Sequence, residues 1–434
     1  MNLTSTNTNS LNGEIICPGD KSISQRILIL GALLNCDMEI SGFLEANDPN
    51  STLNALNEIG ASIKKRGSKV ILCKRESPFT EPSQNLDLGN SGTGMRLMIG
   101  LISGLGINAT LIGDSSLSKR PMSRVIKPLK EMGAKIQSNE GKSPIEIIES
   151  NISSKFEYKM PIASAQVKSS LILASLSSNN SITIIEPKIT RDHTERMIEY
   201  FGGSVTHSNN VSGLIRVDNS KLTPKNSYEI VGDFSSAAFV IVATLISKES
   251  KVVIKNVGLN PSRSGLLEIL VLMGANIEIK NQKITCNEES GDIFVKSSSL
   301  NGIDVPEDII PNIIDEIPIL SIAAAFAEGT TSIKNASELR VKESDRLEAI
   351  SDGLKKLNIK HVTSEDGISI TGTNDLILVD EEINSFGDHR IAMSFLVAGI
   401  RSVNNIKVRD CKNIETSFPG FKDIMNSIGM KIDE

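Results

Sequence analysis

The segment Gly89–Arg96 is polar and rich in glycine, and it runs directly into the apolar stretch Leu97–Ile102. Free backbone N–H groups and the positive end of the helix dipole coincide where such a loop enters a helix, so this arrangement favours binding of an anion. Gly92 and Gly94 would allow a ligand to approach the backbone closely, and Arg96 adds a fixed charge. Taken alone, the pattern is equally typical of a dinucleotide fingerprint, a phosphate-binding loop or a glycine-rich helix start.

Other polar segments precede other strongly apolar stretches, and basic and hydrogen-bonding residues are concentrated near them. One such residue predicts little, since a serine at a helix start usually caps the helix. A whole set beside buried helices requires an anionic partner, and chiefly Asp315, Glu343 and Asp388 supply acidic groups there. The set comprises the basic residues Lys21, Arg26, Arg96, Arg120, Lys168, Arg191, Lys342, Arg346 and Arg390, and the neutral residues Ser22, Asn90, Thr93, Ser164, Gln166 and Ser235.

The densest group of charges is the segment Glu338–Leu347, which precedes a predicted helix at Asp345–Leu357. Lys342 and Arg346 are four residues apart, so on a helix they would face the same way, with Glu343 beside them. The alternative interpretation is an exposed helix start crossed by salt bridges.

These segments belong to a sixfold repeat. Each copy has a polar start, a very apolar helix, a β-branched strand, an amphipathic helix that ends near a glycine, and a second strand. Corresponding starts are between 69 and 80 residues apart, so each copy is a unit of roughly 70 residues. The starts are marked by Ser22, Ser91, Ser164, Ser235, Asp315 and Asp388, and the amphipathic helices stop at Gly60, Gly133, Gly202, Gly274, Asn358 and Gly429.

The first helix of each copy is apolar nearly all round and should be buried, whereas the second should lie on the surface. We therefore predict an α/β protein of two domains with three repeats each. Parallel inner helices would direct their N-termini toward a cleft between the domains. One helix end contributes only about 0.3–1 kcal/mol toward an anion, but six ends and several arginines predict a multiply charged anionic ligand.

Composition restricts the function further. The 434 residues are 39% hydrophobic and 23% charged, which is typical of a water-soluble protein of two domains. A net charge of −6 and the absence of tryptophan argue against a nucleic-acid partner. The five cysteines are scattered, which argues against a zinc site and indicates reduced thiols in a cytoplasmic location. The first twelve residues are not typical of a signal peptide, and no apolar stretch is long enough to span a membrane.

The chain resembles the 5-enolpyruvylshikimate-3-phosphate synthase family of enolpyruvyl transferases. The resemblance rests on motifs in family order along nearly the whole chain. They are Pro18–Arg26, Gly89–Arg96, Lys119–Met122, Ser164–Ser169, Thr190–Thr194, Asp315–Pro318, Arg340–Arg346 and Gly387–Arg390.

The resemblance implies the enolpyruvyl transferase fold, with residues 1–17 and 233–434 forming one discontinuous domain and residues 18–232 forming an inserted domain. It also implies transfer of the enolpyruvyl group of phosphoenolpyruvate to the 5-hydroxyl of shikimate 3-phosphate. Phosphate leaves through a tetrahedral intermediate, on the shikimate pathway to aromatic amino acids. The family uses no metal or organic cofactor and is usually monomeric.

The resemblance also implies roles for individual residues. Asp315 corresponds to the base at the 5-hydroxyl, Glu343 to the acid, and Lys21 shares the proton transfer. Phosphoenolpyruvate contacts are implied for Lys21, Gly92, Arg120, Gln166, Arg346 and Arg390. Shikimate 3-phosphate contacts are implied for Lys21, Ser22, Arg26, Ser164, Ala165, Gln166, Arg191, Asp315 and Lys342.

The chain departs from the family pattern near its C-terminus. Some members have a lysine shortly before a Phe-Pro pair, but here Glu415-Thr416-Ser417 precede Phe418-Pro419. The forms Arg191-Asp192-His193 and Ser164-Ala165-Gln166 resemble the subclass that is often tolerant of glyphosate. Several tolerant members have alanine at the position of Gly92.

Two alternatives remain. The related UDP-N-acetylglucosamine enolpyruvyl transferase has a cysteine in the loop before its Arg-Pro pair, whereas Asp114–Pro121 contains none. A catalytically inactive anion-binding homologue would lack Asp315 or Glu343, and both are present.

Overall fold

The computed structural model describes residues 1–207, 213–218, 222–377 and 381–434. The chain forms two units. The terminal unit, which contains both chain ends, consists of Met1–Pro18, Val231–Ile284 and Glu289–Glu434. The inserted unit consists of Gly19–Ile230 together with Thr285–Glu288, a short piece that the repeat pattern did not assign to it.

Each unit contains three of the predicted apolar helices, and these inner helices are almost entirely buried. In Phe234–Ile246 every residue is buried, as expected of a helix that is apolar on all faces. Asp and Ser side chains cap most of these helices by accepting hydrogen bonds from the first free N–H groups. The inner helices are Lys21–Leu34, Gly92–Leu105, Ala165–Ser177, Phe234–Ile246, Ile317–Ala325 and His389–Ala398.

The six amphipathic helices form where the sequence predicts them, with bounds that differ by a few residues. Each is followed by a residue with positive φ, from 56° at Asn358 to 111° at Gly133. Glycine adopts this conformation without steric cost and asparagine tolerates it, which explains the stop residue of every repeat. These helices are Asn47–Glu58, Ser123–Glu131, His193–Tyr200, Gly265–Leu272, Arg346–Lys356 and Phe421–Ser427.

Each repeat also builds a small sheet that is larger than the two strands predicted for it; five of these sheets are mixed, and that of the fifth repeat is antiparallel. In the inserted unit each sheet has four strands, in spatial order as follows. The first sheet contains Ser227–Glu229, Met38–Ser41, Lys69–Cys73 and Ser62–Arg66. The second contains Leu86–Asp87, Ala109–Ile112, Lys142–Ile148 and Lys135–Asn139. The third contains Lys155–Lys159, Ser181–Ile185, Leu214–Val217 and Val205–His207.

The sheets of the terminal unit recruit the N-terminal segment, which the repeat pattern left unassigned. Leu3–Thr6 lies between two antiparallel partners, and Asn12–Ile16 pairs in parallel at the edge of another sheet. In spatial order, the first sheet contains Asn276–Thr285, Glu288–Lys296, Lys251–Gly258 and Asn12–Ile16. The second contains Thr330–Ile333, Ile368–Thr371 and His361–Thr363. The third contains Ile383–Asn384, Ile406–Arg409, Leu3–Thr6 and Lys431–Asp433.

Short helical turns complete the described chain. They are the α-helical turn Ile310–Ile313 and the 3₁₀ turns Leu117–Lys119, Ser337–Val341, Gly399–Arg401 and Cys411–Thr416. None of the helices in the described part of the chain is long and apolar enough to cross a membrane.

Two glycines set the spacing of the inner helices in the inserted unit. A Cβ atom at Gly100 would lie 2.1 Å from the carbonyl oxygen of Ser170, and one at Gly104 would lie 2.2 Å from that of Ala174. Helices Gly92–Leu105 and Ala165–Ser177 can therefore approach more closely than side chains would permit. This packing keeps the starts of the two helices close together.

Candidate functional site

In the terminal unit, the starts of the three inner helices meet through side-chain contacts. The Ser235 hydroxyl, from the first of these helices, donates to Glu316 Oε1 at the start of the second (2.5 Å). It also accepts from Arg390 Nη2 of the third (3.2 Å). Arg390 Nη1 donates to the carbonyl oxygen of Asp315 (2.9 Å). The predicted convergence of helix starts is therefore present within this unit.

Asp315 lies at the centre of a group of cations. Its Oδ1 atom is 3.4 Å from Lys342 Nζ and 3.2 Å from Arg346 Nη1. Its Oδ2 atom is 3.9 Å from Arg263 Nη1 and 4.0 Å from Arg390 Nη2. With 14% of its side chain exposed, Asp315 remains accessible to a small ligand. Attraction by these four cations favours the negatively charged form of Asp315.

Arg346 is the most deeply buried cation of the cluster. Its guanidinium contacts Asp388 (2.8 Å), Glu343 (2.7 Å) and Asp315 (3.2 Å), and only 1% of the side chain is exposed. Burial lowers the pKa of Arg346, but attraction by Asp388, Glu343 and Asp315 outweighs it and raises the pKa above its ordinary value. Arg346 therefore remains charged and fixes three carboxylates in place.

Lys342 and Arg346 both reach Asp315, but not as residues of one helix. The chain forms a 3₁₀ turn at Ser337–Val341, Lys342 is extended, and the α-helix begins only at Arg346. The two side chains face the same way as predicted, with Glu343 beside them, but Lys342 lies before the helix, whose start is capped by Asp345 through a bond from Glu348 N. The salt-bridged alternative describes only the partly exposed pair Arg340–Asp345.

In the inserted unit, Lys21 lies at the first position of its inner helix and contacts Asp48 (3.2 Å). Only 18% of the Lys21 side chain is exposed. Gln25, one turn further along, donates to Ser91 Oγ at the start of the next inner helix (2.5 Å). Arg26 donates to Ser169 Oγ of the third (3.1 Å). The three helix starts of this unit are thus connected as well.

Arg120 and Gln166 lie beside the glycine-rich start. Arg120 Nη2 donates to Asn90 Oδ1 (2.8 Å), and a Cβ atom at Gly92 would lie 3.0 Å from Arg120 Nη1. Gln166 accepts from Arg96 Nη1 (2.8 Å) and donates to Thr93 Oγ1 (2.9 Å). These contacts fix the orientation of the Gln166 amide, with Arg96 as the supporting cation. Gly92, Arg120 and Gln166 therefore form one group.

The other predicted contacts of this unit lie at helix starts. Ser164 caps the helix Ala165–Ser177 and accepts from Val167 N (3.4 Å). Ser22 lies in the first turn of its helix, and its carbonyl oxygen accepts from Arg26 Nη1 (3.1 Å). Arg191 is half-buried and lies just before the helix His193–Tyr200.

Lys168 differs from the prediction, which placed it among the cations available to an anion. Its side chain is only 1% exposed, and Nζ lies 2.7 Å from Glu195 and 3.2 Å from Glu186, both of them buried. Two carboxylates already neutralise this ammonium group, so it cannot serve a ligand. Nζ also donates to the carbonyl oxygen of Thr190, next to Arg191, which makes Lys168 an anchor of that loop.

The pKa of Lys168 leads to a prediction about alkaline stability. Burial lowers this pKa, but attraction by Glu195 and Glu186 exceeds that effect and raises it. A group with a raised pKa stabilises the fold below its unfolded pKa, about 10.4 for lysine, and this contribution is lost as the pH rises through the folded value. We expect the difference in melting temperature between wild type and Lys168→Met, measured by calorimetry, to shrink above about pH 10.4. A difference that stays constant at alkaline pH would contradict this.

Sequence reasoning missed four charged residues of these clusters: Asp48, Asp233, Arg263 and Glu316. The repeat contains a signal for Arg263, because a basic residue stands at or just before the outer helix in repeats two to five. These residues are Arg120, Arg191, Arg263 and Arg346. Glu316 had no such signal, since a carboxylate at a helix start is ordinarily a cap.

The terminal cluster contains more acids than the sequence suggested. Its four cations face five carboxylates, and all of these residues are buried or half-buried. An anionic ligand must therefore compete with Asp315 and Glu343 for the cations. The cations are Arg263, Lys342, Arg346 and Arg390, and the carboxylates are those of Asp233, Asp315, Glu316, Glu343 and Asp388.

Comparison with known proteins shows similarity along the whole chain. Residues 5–425 match the family described as EPSP synthase (3-phosphoshikimate 1-carboxyvinyltransferase). A 3-phosphoshikimate 1-carboxyvinyltransferase of Petrotoga mobilis is 46% identical over 432 residues, which cover 99% of each chain. The solved EPSP synthase of Acinetobacter baumannii is 39% identical, with a TM-score of 0.87 and full coverage of both chains. The enolpyruvyl transferase NikO of Streptomyces tendae, 13% identical with a TM-score of 0.75, shares the fold.

Proposed function

We propose that this chain, which belongs to the EPSP synthase family, transfers the enolpyruvyl group of phosphoenolpyruvate to the 5-hydroxyl of shikimate 3-phosphate and releases phosphate. One observation carries the proposal. Two carboxylates of different surroundings, Asp315 and Glu343, share the same guanidinium in a cluster of cations. Addition to an enol requires a base for the attacking hydroxyl and an acid for the enol carbon, and this pair supplies both.

In the proposed first step, Asp315 accepts the proton of the 5-hydroxyl while the oxygen bonds to the central carbon of phosphoenolpyruvate. Glu343, assisted by Lys21, donates a proton to the methylene carbon, which gives a tetrahedral adduct. Loss of a proton from the resulting methyl group and departure of phosphate then restore the double bond in the product. Arg346 fixes the two carboxylates and balances the charge that moves between them.

The remaining residues bind the two substrates in this proposal. Phosphoenolpyruvate, with its phosphate and carboxylate, is assigned to guanidinium, ammonium and backbone N–H groups, which recognise such anions. Its contacts are Lys21, Gly92, Arg120, Gln166, Arg346 and Arg390. The contacts of shikimate 3-phosphate are Lys21, Ser22, Arg26, Ser164, Ala165, Gln166, Arg191, Asp315 and Lys342.

A phosphate-release assay tests the proposal against its rivals. The purified chain is supplied with phosphoenolpyruvate and either shikimate 3-phosphate or UDP-N-acetylglucosamine. We expect phosphate release only with shikimate 3-phosphate. Release only with the sugar nucleotide would support the related transferase, and no release with either acceptor would support an inactive anion-binding homologue.

Gly92 allows a test of the assigned phosphoenolpyruvate contact. An added methyl group would lie 3.0 Å from Arg120 Nη1 and 3.1 Å from Arg96 Nη1, so both guanidinium groups must shift slightly. We expect Gly92→Ala to raise the KM for phosphoenolpyruvate about tenfold, because this change corresponds to a free energy near the lower end of the range for overpacking a site. The KM for shikimate 3-phosphate should stay nearly unchanged. Steady-state kinetics with each substrate varied in turn provides the measurement. Equal changes in both KM values would contradict the assignment.

A further inference from the structure

The Ser235 hydroxyl of the terminal unit is fully engaged by three charged side chains. It donates to Glu316 Oε1 (2.5 Å) and accepts from Arg263 Nη2 (2.6 Å) and Arg390 Nη2 (3.2 Å). Ser235 is only 5% exposed, so water does not compete strongly for these bonds. One small side chain therefore holds two guanidinium groups and a carboxylate in fixed positions.

Neither Ser235 nor Glu316 is needed to cap its helix. Asp233 already accepts hydrogen bonds from Ser235 N (2.6 Å) and Ser236 N (3.2 Å). Glu316 is the N-cap residue of Ile317–Ala325, yet its side chain makes no capping bond. Both side chains point instead toward Arg263 and Arg390, so helix stability does not explain them.

Glu316 is also unusual for a structural residue. Its side chain is completely buried, and Oε1 lies 3.3 Å from Arg390 Nη1 and 4.0 Å from Arg263 Nη1. Its Oε2 atom has no hydrogen-bond partner among the described residues. A buried carboxylate oxygen without a hydrogen-bond partner destabilises the fold, so packing alone does not explain Glu316. Its negative charge lies instead where two arginines would otherwise repel each other.

We propose that Ser235, Arg263 and Glu316 form a positioning network that presents Arg390 to phosphoenolpyruvate; this inference rests on the function proposed above. Arg390 donates to the backbone of Asp315 with one nitrogen and to the Ser235 hydroxyl with the other. Glu316 neutralises the neighbouring Arg263 and keeps Arg390 in this orientation. The network therefore acts on substrate affinity through Arg390, without contact between Glu316 and the reacting atoms.

The network predicts a selective change in affinity. We expect Ser235→Ala and Glu316→Ala to raise the KM for phosphoenolpyruvate at least tenfold while the KM for shikimate 3-phosphate changes less than twofold. Glu316→Gln retains an acceptor at Oε1 but loses the charge that neutralises Arg263, so its KM for phosphoenolpyruvate should lie between those of wild type and Glu316→Ala. Ser247→Ala is the matched control, because Ser247 is a buried serine at the other end of the same helix and donates to a neutral partner, the carbonyl oxygen of Ala243.

A double-mutant cycle distinguishes positioning from general destabilisation. In an Arg390→Lys background, Glu316→Ala should change the KM for phosphoenolpyruvate less than threefold, because the residue on which it acts has already been altered. The inference would be overturned if the effects of Glu316→Ala and Arg390→Lys on the KM for phosphoenolpyruvate multiply in full. A selective loss of phosphoenolpyruvate affinity in Ser247→Ala, or an unchanged KM in Glu316→Ala, would overturn it as well. If wild type itself releases no phosphate with shikimate 3-phosphate, the proposed function fails rather than the network.

Discussion

Replacing Asp315 by alanine is expected to lower kcat by about 10²–10⁴-fold, the range typical of losing a general base. The same change removes one of five carboxylates from a cluster with four cations. We therefore expect the KM for phosphoenolpyruvate to stay the same or fall, because Lys342 and Arg346 lose a competing anion. A large loss of kcat without loss of phosphoenolpyruvate affinity is the pattern of a group that acts in the transition state.

Steady-state kinetics of Asp315→Ala and Asp308→Ala provides the measurement. Asp308 is an exposed acid seven residues earlier in the chain, so its replacement controls for the loss of a negative charge in this segment. We expect Asp308→Ala to behave like wild type. Near-normal turnover of Asp315→Ala would remove Asp315 from the proposed mechanism.

Replacing Lys168 by methionine is expected to cost about 3–5 kcal/mol of stability, because it leaves Glu186 and Glu195 buried without their shared cation. Calorimetry gives the change in melting temperature, and hydrogen exchange in the helix Ala165–Ser177 gives its local effect. Lys188→Met is the control, since Lys188 is exposed and its replacement should change stability by less than about 0.5 kcal/mol.

A triple variant tests the cause of this destabilisation. Combining Lys168→Met with Glu186→Gln and Glu195→Gln removes the uncompensated charges, so much of the lost stability should return. If the triple variant is no more stable than Lys168→Met, loss of side-chain packing rather than unpaired charge would be responsible.

The sequence predicted the repeat and the two kinds of helix because their signals are local. An all-round apolar helix and a stop residue such as Gly60 or Asn358 determine conformation within a few residues. Several strands were missed because they come from distant segments. Leu3–Thr6, for example, pairs with Ile406–Arg409 and Lys431–Asp433, and only tertiary structure brings such segments together.

The sequence predicted where the charged residues of the site lie better than it predicted which of them are paired with each other. Basic residues at repeat starts indicated an anion, but a sequence does not reveal which cation is already neutralised by a carboxylate. Lys168 therefore looked available although Glu186 and Glu195 bind it, and Glu316 was not singled out at all. Partner choice between buried charges depends on distances of a few ångströms, which the repeat pattern does not specify.

In the proposed reaction this chain transfers an enolpyruvyl group and does not merely hydrolyse phosphoenolpyruvate. Phosphorus NMR of a reaction with equal amounts of phosphoenolpyruvate and shikimate 3-phosphate tests it most directly. We predict that inorganic phosphate forms as the phosphoenolpyruvate signal disappears. The signal of shikimate 3-phosphate should be replaced by that of a new phosphate monoester, in one-to-one amount with the released phosphate. Release of phosphate with the shikimate 3-phosphate signal unchanged would show hydrolysis instead of transfer.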